Sequence, residues 1–206
     1  MSTEKTRTDL PRWGMVIDLE KCVGCHTCEI ACKVQNDVPL GMWRSWVKEI
    51  EKGQYPVVVR SFRPTLCNHC ANPVCVKVCP VKAAYQREDG IVMVDPHRCV
   101  GCRYCMAACP YEVRYIHPTK GMIDKCDFCY HRVDEGLQPA CVEACPTSAR
   151  VFGNLNDSHS EVAKLVASKP VQGLKVDIGT APRVYYIGLD HATMEIKEEV
   201  RLVWEK

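Results

Sequence analysis

Sixteen cysteines dominate the chemistry available to this chain of 206 residues. They fall into four groups of four, and no cysteine lies outside the groups. In the third group the spacing is C-x2-C-x2-C-x3-C-P, and the proline is Pro110. We call the groups motifs one to four; in order they are Cys22, Cys25, Cys28 and Cys32; Cys67, Cys70, Cys75 and Cys79; Cys99, Cys102, Cys105 and Cys109; and Cys126, Cys129, Cys141 and Cys145.

The spacing of motif three is typical of ligands to 4Fe-4S clusters. Three thiolates on one tight loop can bind one cubane, and the fourth, carried away by a helical turn, reaches a second cubane. Motif one repeats the spacing without the proline, and motifs two and four each lengthen one gap. We therefore predict four 4Fe-4S clusters as cofactors. Zinc ribbons use separated C-x2-C pairs, and disulfide frameworks suit short secreted chains, so both fit the pattern less well.

Bound clusters would alter both the net charge and the apolar content that the composition indicates. The formal net charge is +2, but sixteen thiolates and four cubane cores bring the loaded chain to about −6, so a surface that attracts nucleic acid is not expected. Cysteine also contributes to the hydrophobic share of 47%. The clusters are therefore expected to act as cores, and their binding should contribute folding free energy.

The chain contains an internal repeat. Cys22-Val-Gly-Cys25 and Cys99-Val-Gly-Cys102 lie 77 positions apart, and an aspartate precedes each by four residues. The ends of motifs two and four also match, since both read Pro-x-Cys-Val-x-x-Cys-Pro. This pattern predicts an internal duplication.

The segment between motifs two and three carries a hairpin signal, because two short β-type runs flank Asp89-Gly90. Motif, hairpin and motif is the layout of a two-cluster bacterial ferredoxin. We predict an α+β fold with one ferredoxin-like unit, unit B, at 62–115. Unit A would combine 13–36 with 122–153 as a circularly permuted copy wrapped around unit B, with strands near Met15–Ile17 and Arg150–Phe152 paired. Pairing motif one with two, and three with four, is the open alternative.

Cross-ligation within each unit predicts which cysteines share a cluster. The four expected ligand sets are set 1, Cys22, Cys25, Cys28 and Cys145; set 2, Cys126, Cys129, Cys141 and Cys32; set 3, Cys67, Cys70, Cys75 and Cys109; and set 4, Cys99, Cys102, Cys105 and Cys79.

Residues between and beside the ligands are candidates for tuning. Gly24 and Gly101 can adopt positive φ and bring backbone N–H groups to the sulfurs. Basic residues near anionic clusters would raise their potentials, although surface charge is an equally ordinary role. The basic candidates are Lys21, Arg98, Arg103 and Lys125; the histidines between ligands are His26 and His69, for which iron ligation is not favoured; the aromatic candidates for shielding are Tyr104, Tyr111, Phe128 and Tyr130.

Two segments lie outside the cluster motifs. The insertion at 37–61 holds Trp43, Trp46 and Tyr55, which suit either an interface or burial on the parent domain. The extension at 154–206 is expected to serve in docking, above all Met194–Trp204. Within it, Asp157 or Ser158 could cap a helix at Glu161–Ser168 that Pro170 ends, and Arg183–Ile187 is typical of a strand.

Targeting signals are not expected in this sequence. Met1–Arg12 lacks an apolar h-region and a twin-arginine pair. No run approaches the roughly 18 apolar residues that a membrane-spanning helix needs. Contact with a membrane would therefore pass through a partner.

Four stretches make the chain resemble a known family: Cys22-Val-Gly-Cys25, Cys67-Asn-His-Cys70, Cys99 to Tyr111, and Lys125-Cys126-Asp-Phe-Cys129. It is similar to the four-cluster iron–sulfur subunits of DMSO reductase-type molybdopterin oxidoreductases, and most of all to the polysulfide reductase type. The resemblance covers 13–153. Some of these subunits replace a motif-three cysteine by an aromatic residue and carry a 3Fe-4S cluster, but this chain keeps all four cysteines.

The resemblance implies a complex with a molybdenum or tungsten pterin catalytic subunit and an integral membrane subunit that reacts with quinone. This chain would relay electrons between them as a non-catalytic, peripheral membrane-associated subunit. It would lie on the cytoplasmic face, or on the periplasmic face after export with a signal-bearing partner. A soluble polyferredoxin for a hydrogenase or formate dehydrogenase, and a cluster-dependent regulator, are the alternatives. No nucleotide loop, nucleophile motif or spare cysteine indicates catalysis.

Overall fold

The computed structural model describes residues 10–194. The expectations for residues 1–9 and for the tail beyond Met194 therefore lie outside the described residues. Strands of the described part run in chain order as β1 (Trp13–Asp18), β2 (Ser45–Gln54), β3 (Val57–Leu66), β4 (Ala84–Gln86), β5 (Val92–Val94), β6 (Tyr115–Ile116), β7 (Ile123–Asp124), β8 (Arg150–Asn154), β9 (Val171–Gly173) and β10 (Val184–Ile187). Helices are α1 (Thr27–Gln35), α2 (Val74–Lys77), α3 (Tyr104–Ala107), α4 (Tyr130–Val133), α5 (Ala140–Glu143), α6 (Glu161–Ser168) and α7 (His191–Met194).

A four-stranded sheet in the order β8-β1-β10-β9 holds the two ends of the described chain together. β1 pairs antiparallel with β8, and Ile17 lies opposite Arg150. The strand pairing predicted from the sequence is thereby confirmed. β10 pairs in parallel with the other side of β1, with Met15 opposite Val184. The β10 strand was predicted, but this partner was not, so part of the extension belongs to the central sheet.

Three two-stranded sheets complete the described fold. The predicted hairpin between motifs two and three is confirmed as β4 and β5, with Ala84 opposite Val94. β6 and β7 form a second short pair. Residues 45–66, which include most of the insertion and the first five residues of the predicted unit B, form the long β2–β3 hairpin, paired from Ser45–Leu66 to Gln54–Val57. Its tip is exposed: the side chains of Tyr55 and Val57 are accessible.

Each cluster motif includes at least one helix, and most of these helices are short. α2, α3, α4 and α5 have four residues each, and α1, which carries Cys28 and Cys32, has nine. Helices this short gain little stability from their own hydrogen bonds. They must therefore be held by packing around the cysteines, and several cysteines indeed belong to the main hydrophobic core.

Helix α6 has the residues predicted for it and covers the sheet. Val162 packs with Val16 and Ile187 in a second, smaller core. The predicted cap was wrong: Ser160, and not Asp157 or Ser158, caps this helix, because its hydroxyl accepts the N–H of Ala163 at 3.2 Å. The helix ends at Ser168, just before Pro170.

Candidate metal centres

The leading loops of motifs one and three turn through glycines with positive φ. Gly24 and Gly101 both have φ of +67°, as predicted. A Cβ on Gly24 would lie 2.3 Å from the Phe62 ring, and one on Gly101 would lie 2.5 Å from the carbonyl oxygen of Gly121. Both positions therefore need glycine for backbone conformation and for space.

Three of the expected ligand sets each surround a cavity. One cavity is lined by all four cysteines of set 3, the next by all four of set 4, and the third by all four of set 1. Within residues 10–194, no three Cys, His, Asp or Glu side chains are grouped so as to hold a single metal ion. The cysteines surround space between them instead. The grouping is the one expected from cross-ligation, while ligation itself stays a prediction.

Set 2 lies in the protein interior, and all four of its cysteines are buried. The Asn36 side chain connects two of them, because its amide nitrogen lies 3.8 Å from Cys32 Sγ and 3.7 Å from Cys129 Sγ. The thiol of Cys126 has Cys32 and Cys141 among its electrostatic neighbours. These contacts bring motif one and motif four together, as the predicted unit A requires.

Exposure differs between the sets. Cys25 of set 1 and Cys102 of set 4 are the two exposed cysteines of the sixteen. Each lies directly after one of the positive-φ glycines, so the tight turn places it at the surface. Every cysteine of sets 2 and 3 is buried or partly buried. Sets 1 and 4 therefore each present one exposed cysteine to solvent, set 3 is partly accessible through Cys70, Cys75 and Cys109, and set 2 is buried.

Burial raises the pKa of most interior thiols. It raises the pKa of Cys28 to about 11 and the pKa values of Cys32 and Cys70 to about 12. The fully enclosed Cys126 thiol has a pKa well above its ordinary value for the same reason. Because metal ligands are thiolates, cluster insertion must displace protons from these groups.

Cys79 and Cys145, the last cysteines of motifs two and four, behave differently. Partial burial raises their thiol pKa, but hydrogen bonds outweigh this effect, so both pKa values lie below the ordinary value. For Cys79 the donors are backbone N–H groups of the residues after Pro80, including Ala84 at 3.4 Å. For Cys145 they are the Thr147 hydroxyl and backbone N–H groups after Pro146. The matching loops fit the sequence repeat, and such donors stabilise a thiolate.

Two buried arginines indicate that the cavities suit an anionic group. Arg114 lines the cavities of both set 3 and set 4, and Arg150 lines that of set 1. Among the described residues, neither terminal nitrogen of Arg114 nor Nη1 of Arg150 has a hydrogen-bond partner. A buried guanidinium needs an acceptor or a counter-charge. A thiolate-ligated iron–sulfur cluster supplies both, so the residues present fit this cofactor.

The two histidines between ligands are engaged elsewhere. His26 lies between Glu29 and Glu49, with its ring nitrogens 3.0 and 3.3 Å from their oxygens. His69 is fully buried, stacks on Phe128 at 3.7 Å and accepts the Val92 N–H at Nδ1. Burial and neighbouring cations hold the pKa of His69 well below its usual range.

The four basic candidates divide into one buried and three exposed residues. Lys125 is 2% exposed and donates to the carbonyl oxygens of Val92 and Cys126. Lys21, Arg98 and Arg103 are exposed.

The aromatic candidates for shielding also divide by exposure. Tyr111 and Phe128 are buried, and Tyr111 lines the cavity of set 3. Tyr104 and Tyr130 lie at the surface.

Sequence reasoning missed Arg114, Arg150 and Asn36. A signal for the arginines was present, because each follows the last cysteine of its motif in the pattern Cys-Pro-x3-Arg. Asn36 follows motif one without any comparable pattern. Its role depends on Cys129, which is 93 positions away and is brought close only by the fold.

Comparison with known proteins agrees with the site. Residues 58–155 match the 4Fe-4S dicluster domain family, and residues 13–34 match a 4Fe-4S binding domain family. A tetrathionate reductase subunit from Salmonella typhimurium is 46% identical over 185 residues, which cover 88% of this chain and 74% of that protein. The chain belongs to the family of 4Fe-4S iron–sulfur subunits of reductases. A polysulfide reductase component from Wolinella succinogenes is 42% identical over 85% of this chain and 94% of that protein. Protein NrfC from Escherichia coli K12 is 46% identical over 85% of this chain and 80% of that protein.

Membership in this family makes 4Fe-4S clusters the cofactors of the chain. Across residues 10–194, none of the helices has the length and apolar character needed to cross a membrane.

Proposed function

We propose that this chain is the electron-transfer subunit of a molybdopterin reductase complex and carries four 4Fe-4S clusters, one in each cysteine set. The observation that carries the proposal is the contrast in exposure among the sets: one exposed cysteine in each of sets 1 and 4, none in sets 2 and 3. A chain with an exposed cysteine in each of two different sets can accept electrons at one surface and release them at another. The subunit itself catalyses no reaction.

Neighbour relations between the sets support a linear path. Arg150 has thiols of set 1 and set 2, Cys28 and Cys141, among its electrostatic neighbours. Cys126 of set 2 has Cys67 of set 3 among its own. Arg114 lines the cavities of sets 3 and 4. Electrons would therefore pass through the clusters in the order 1, 2, 3, 4 or the reverse.

This order fits the two-unit organisation that we infer for the chain. Unit A, at 13–36 and 122–153, would hold clusters 1 and 2 as a permuted copy of unit B, at 62–115, which would hold clusters 3 and 4. The β1–β8 pair next to motifs one and four parallels the β4–β5 hairpin between motifs two and three. The insertion at 37–61 and the extension at 154–206 would then serve contacts outside the clusters.

The ends of the path are assigned from the resemblance to the molybdopterin oxidoreductase subunits. Cluster 1 would face the molybdenum or tungsten pterin catalytic subunit, and cluster 4 an integral membrane subunit that exchanges electrons with quinone. The chain would then be a peripheral subunit held at the membrane by that partner, on the cytoplasmic face or, after co-export, on the periplasmic face.

Replacing Cys102 by serine in the purified complex tests this orientation. Loss of one thiolate should convert cluster 4 to a 3Fe-4S species of altered potential and leave the other three clusters intact. A dye that exchanges electrons near the catalytic subunit should still support turnover, whereas quinone-linked turnover should fall sharply. The Tyr104→Phe variant, at an exposed neighbouring position, is the control and should keep both rates. Equal losses of both rates in Cys102→Ser, with the other clusters retained, would show that the orientation is wrong.

A further inference from the structure

The two arginines at the cavities have unusual surroundings. Arg114 is 5% exposed and Arg150 is 2% exposed. Within residues 10–194, no carboxylate forms an ion pair with either one, although Arg44 and Arg87 each have carboxylate partners. An unpaired buried charge costs several kcal/mol on general grounds, and arginine does not lose its proton to avoid that cost. Both guanidiniums therefore need anionic partners at the cavities.

Arg114 is placed to interact with two clusters at once. Its side chain lines the cavities of both sets in unit B. Its electrostatic neighbours are the thiols of Cys67, Cys75 and Cys109 from set 3 and of Cys105 from set 4. Among the described residues, neither Nη1 nor Nη2 has a hydrogen-bond partner, and the charged groups next to the guanidinium are these thiols. A planar guanidinium presents five donors in a rigid fork, whereas a lysine ammonium has three donors on one nitrogen.

Arg150 has the corresponding place in unit A. Its first electrostatic neighbours are Cys141 of set 2 and Cys28 of set 1. Nη2 donates to the Ser45 hydroxyl at 3.0 Å, and this contact fixes the side chain from the β2–β3 hairpin. Nη1 has no hydrogen-bond partner among the described residues and can donate to a cluster. Each unit thus has a buried arginine, without a carboxylate partner among the described residues, next to thiols of both of its cysteine sets.

We propose that Arg114 and Arg150 are positioning residues that set cluster potentials in pairs, Arg114 for clusters 3 and 4 and Arg150 for clusters 1 and 2. Reduction adds negative charge to a cluster, so a nearby fixed cation stabilises the reduced form and raises the potential. One cation between two clusters acts on both and offsets the repulsion between them. Burial keeps water and salt from screening this effect. The inference rests on the proposed four-cluster assignment.

A redox titration of each cluster, followed by electron paramagnetic resonance, tests the proposal on the whole chain. Serine variants of one ligand in each set assign the signals. At a fixed solution potential, Arg114→Gln should lower the fraction of clusters 3 and 4 that is in the reduced state. We expect at least a tenfold change in the ratio of reduced to oxidised cluster, which corresponds to about 59 mV for one electron. Clusters 1 and 2 should be unchanged. Arg150→Gln should show the opposite selectivity.

Two further variants separate charge from packing. Arg114→Lys keeps the charge but loses the forked donors, so the same two potentials should fall by less. Arg98→Gln removes an exposed charge in front of motif three, and solvent screening should leave only a small shift. If Arg114→Gln does not retain iron, the lysine variant decides the question by a shift confined to clusters 3 and 4. The proposal is overturned if the retained variants leave all four potentials unchanged, shift only one cluster of a pair, or shift clusters of both units alike.

The underlying assignment is tested separately. Wild-type protein should contain about 16 iron atoms per chain and four distinct cubane signals. Fewer clusters would contradict the proposed function. Four clusters with no paired response to the arginine variants would contradict only this inference.

Discussion

All four sets consist of cysteines, but the surroundings of the outer sets 1 and 4 differ from those of the inner sets 2 and 3. Each outer set has one cysteine at the surface and one, Cys145 or Cys79, whose sulfur receives hydrogen bonds from the residues after a Cys-Pro pair. Set 2 is entirely buried, and set 3 has no exposed cysteine. Both kinds of site have sulfurs that accept hydrogen bonds, but set 2 lies wholly in the interior, whereas each outer set has a cysteine at the surface. The same motif can thus serve exchange at a surface or folding in the interior.

Removing all iron should have the largest effect, because the inner clusters take the place of ordinary core packing. We expect a chelated, reduced chain to lose its tertiary structure, as judged by near-ultraviolet circular dichroism and amide hydrogen exchange. The inner region should lose its protection from exchange together with the outer region. An iron-free chain that keeps protected amides in β1, β8 and β10 would contradict the role of the clusters as cores.

Replacing single ligands should have different effects on iron content and stability at the inner and outer sites. Cys25→Ser should convert one outer cluster to a 3Fe-4S species and leave about 15 iron atoms per chain. Cys126→Ser should cost much more iron and stability, because position 126 is buried and has Cys32, Cys141 and Cys67 as neighbours. Iron analysis and thermal unfolding of the two variants measure the difference. Equal losses in both would remove the distinction between inner and outer sites.

The ion pairs of Arg44 attach the β2–β3 insertion to motif four, next to inner set 2. Its guanidinium binds Asp124 at 2.9 Å and Asp127 at 3.0 Å, and all three side chains are mostly buried. Arg44→Met should therefore lower the free energy of unfolding by about 3–5 kcal/mol, because it leaves two buried carboxylates without their partner. Denaturant unfolding of the iron-loaded chain is the measurement.

Arg60→Met is the matched control, since Arg60 pairs with Glu51 at the exposed end of the same hairpin. Exposed pairs contribute little, so its loss of stability should be much smaller. Equal stability of the two variants would show that burial of the Arg44 ion pairs does not increase their contribution to the free energy of unfolding.

A smaller, local effect is expected at Asn36. Its amide donates to the sulfurs of Cys32 and Cys129, both in set 2. Asn36→Leu should lower the potential of cluster 2 by tens of millivolts, because hydrogen bonds to sulfur favour the reduced state. Clusters 3 and 4 should not change. Asn72→Leu, at an exposed position whose amide binds the Gly179 carbonyl, should leave all four potentials as they are.

Much of the local architecture follows from short-range patterns in the sequence. Asp89-Gly90 predicts the β4–β5 hairpin, Cys-Val-Gly-Cys predicts the positive φ of Gly24 and Gly101, and the polar residues before Glu161 together with Pro170 predict α6. These features depend on residues close together in the chain. The β1–β8 pair joins residues more than a hundred positions apart, and the repeat of the motifs was enough to predict it.

Other features depend on packing that no local pattern encodes. β10 comes from beyond the last motif and pairs in parallel with β1. The sequence around β10 predicts a strand but does not indicate which strand it will pair with. The alternation in the insertion is broken, because Val57, Val58 and Val59 are all exposed at the hairpin tip. Arg114 and Arg150 become notable only once their lack of protein partners is seen in three dimensions.

The central claim is that the last cysteine of each motif serves the cluster of another motif. The most direct test compares electron paramagnetic resonance spectra of three serine variants, Cys25→Ser, Cys145→Ser and Cys141→Ser. Cross-ligation predicts that Cys25→Ser and Cys145→Ser alter the same cluster, although they lie in motifs one and four. Cys141→Ser, from the same motif as Cys145, should alter a different one. If Cys145→Ser and Cys141→Ser alter one common cluster and Cys25→Ser another, the assignment of ligands to clusters is wrong.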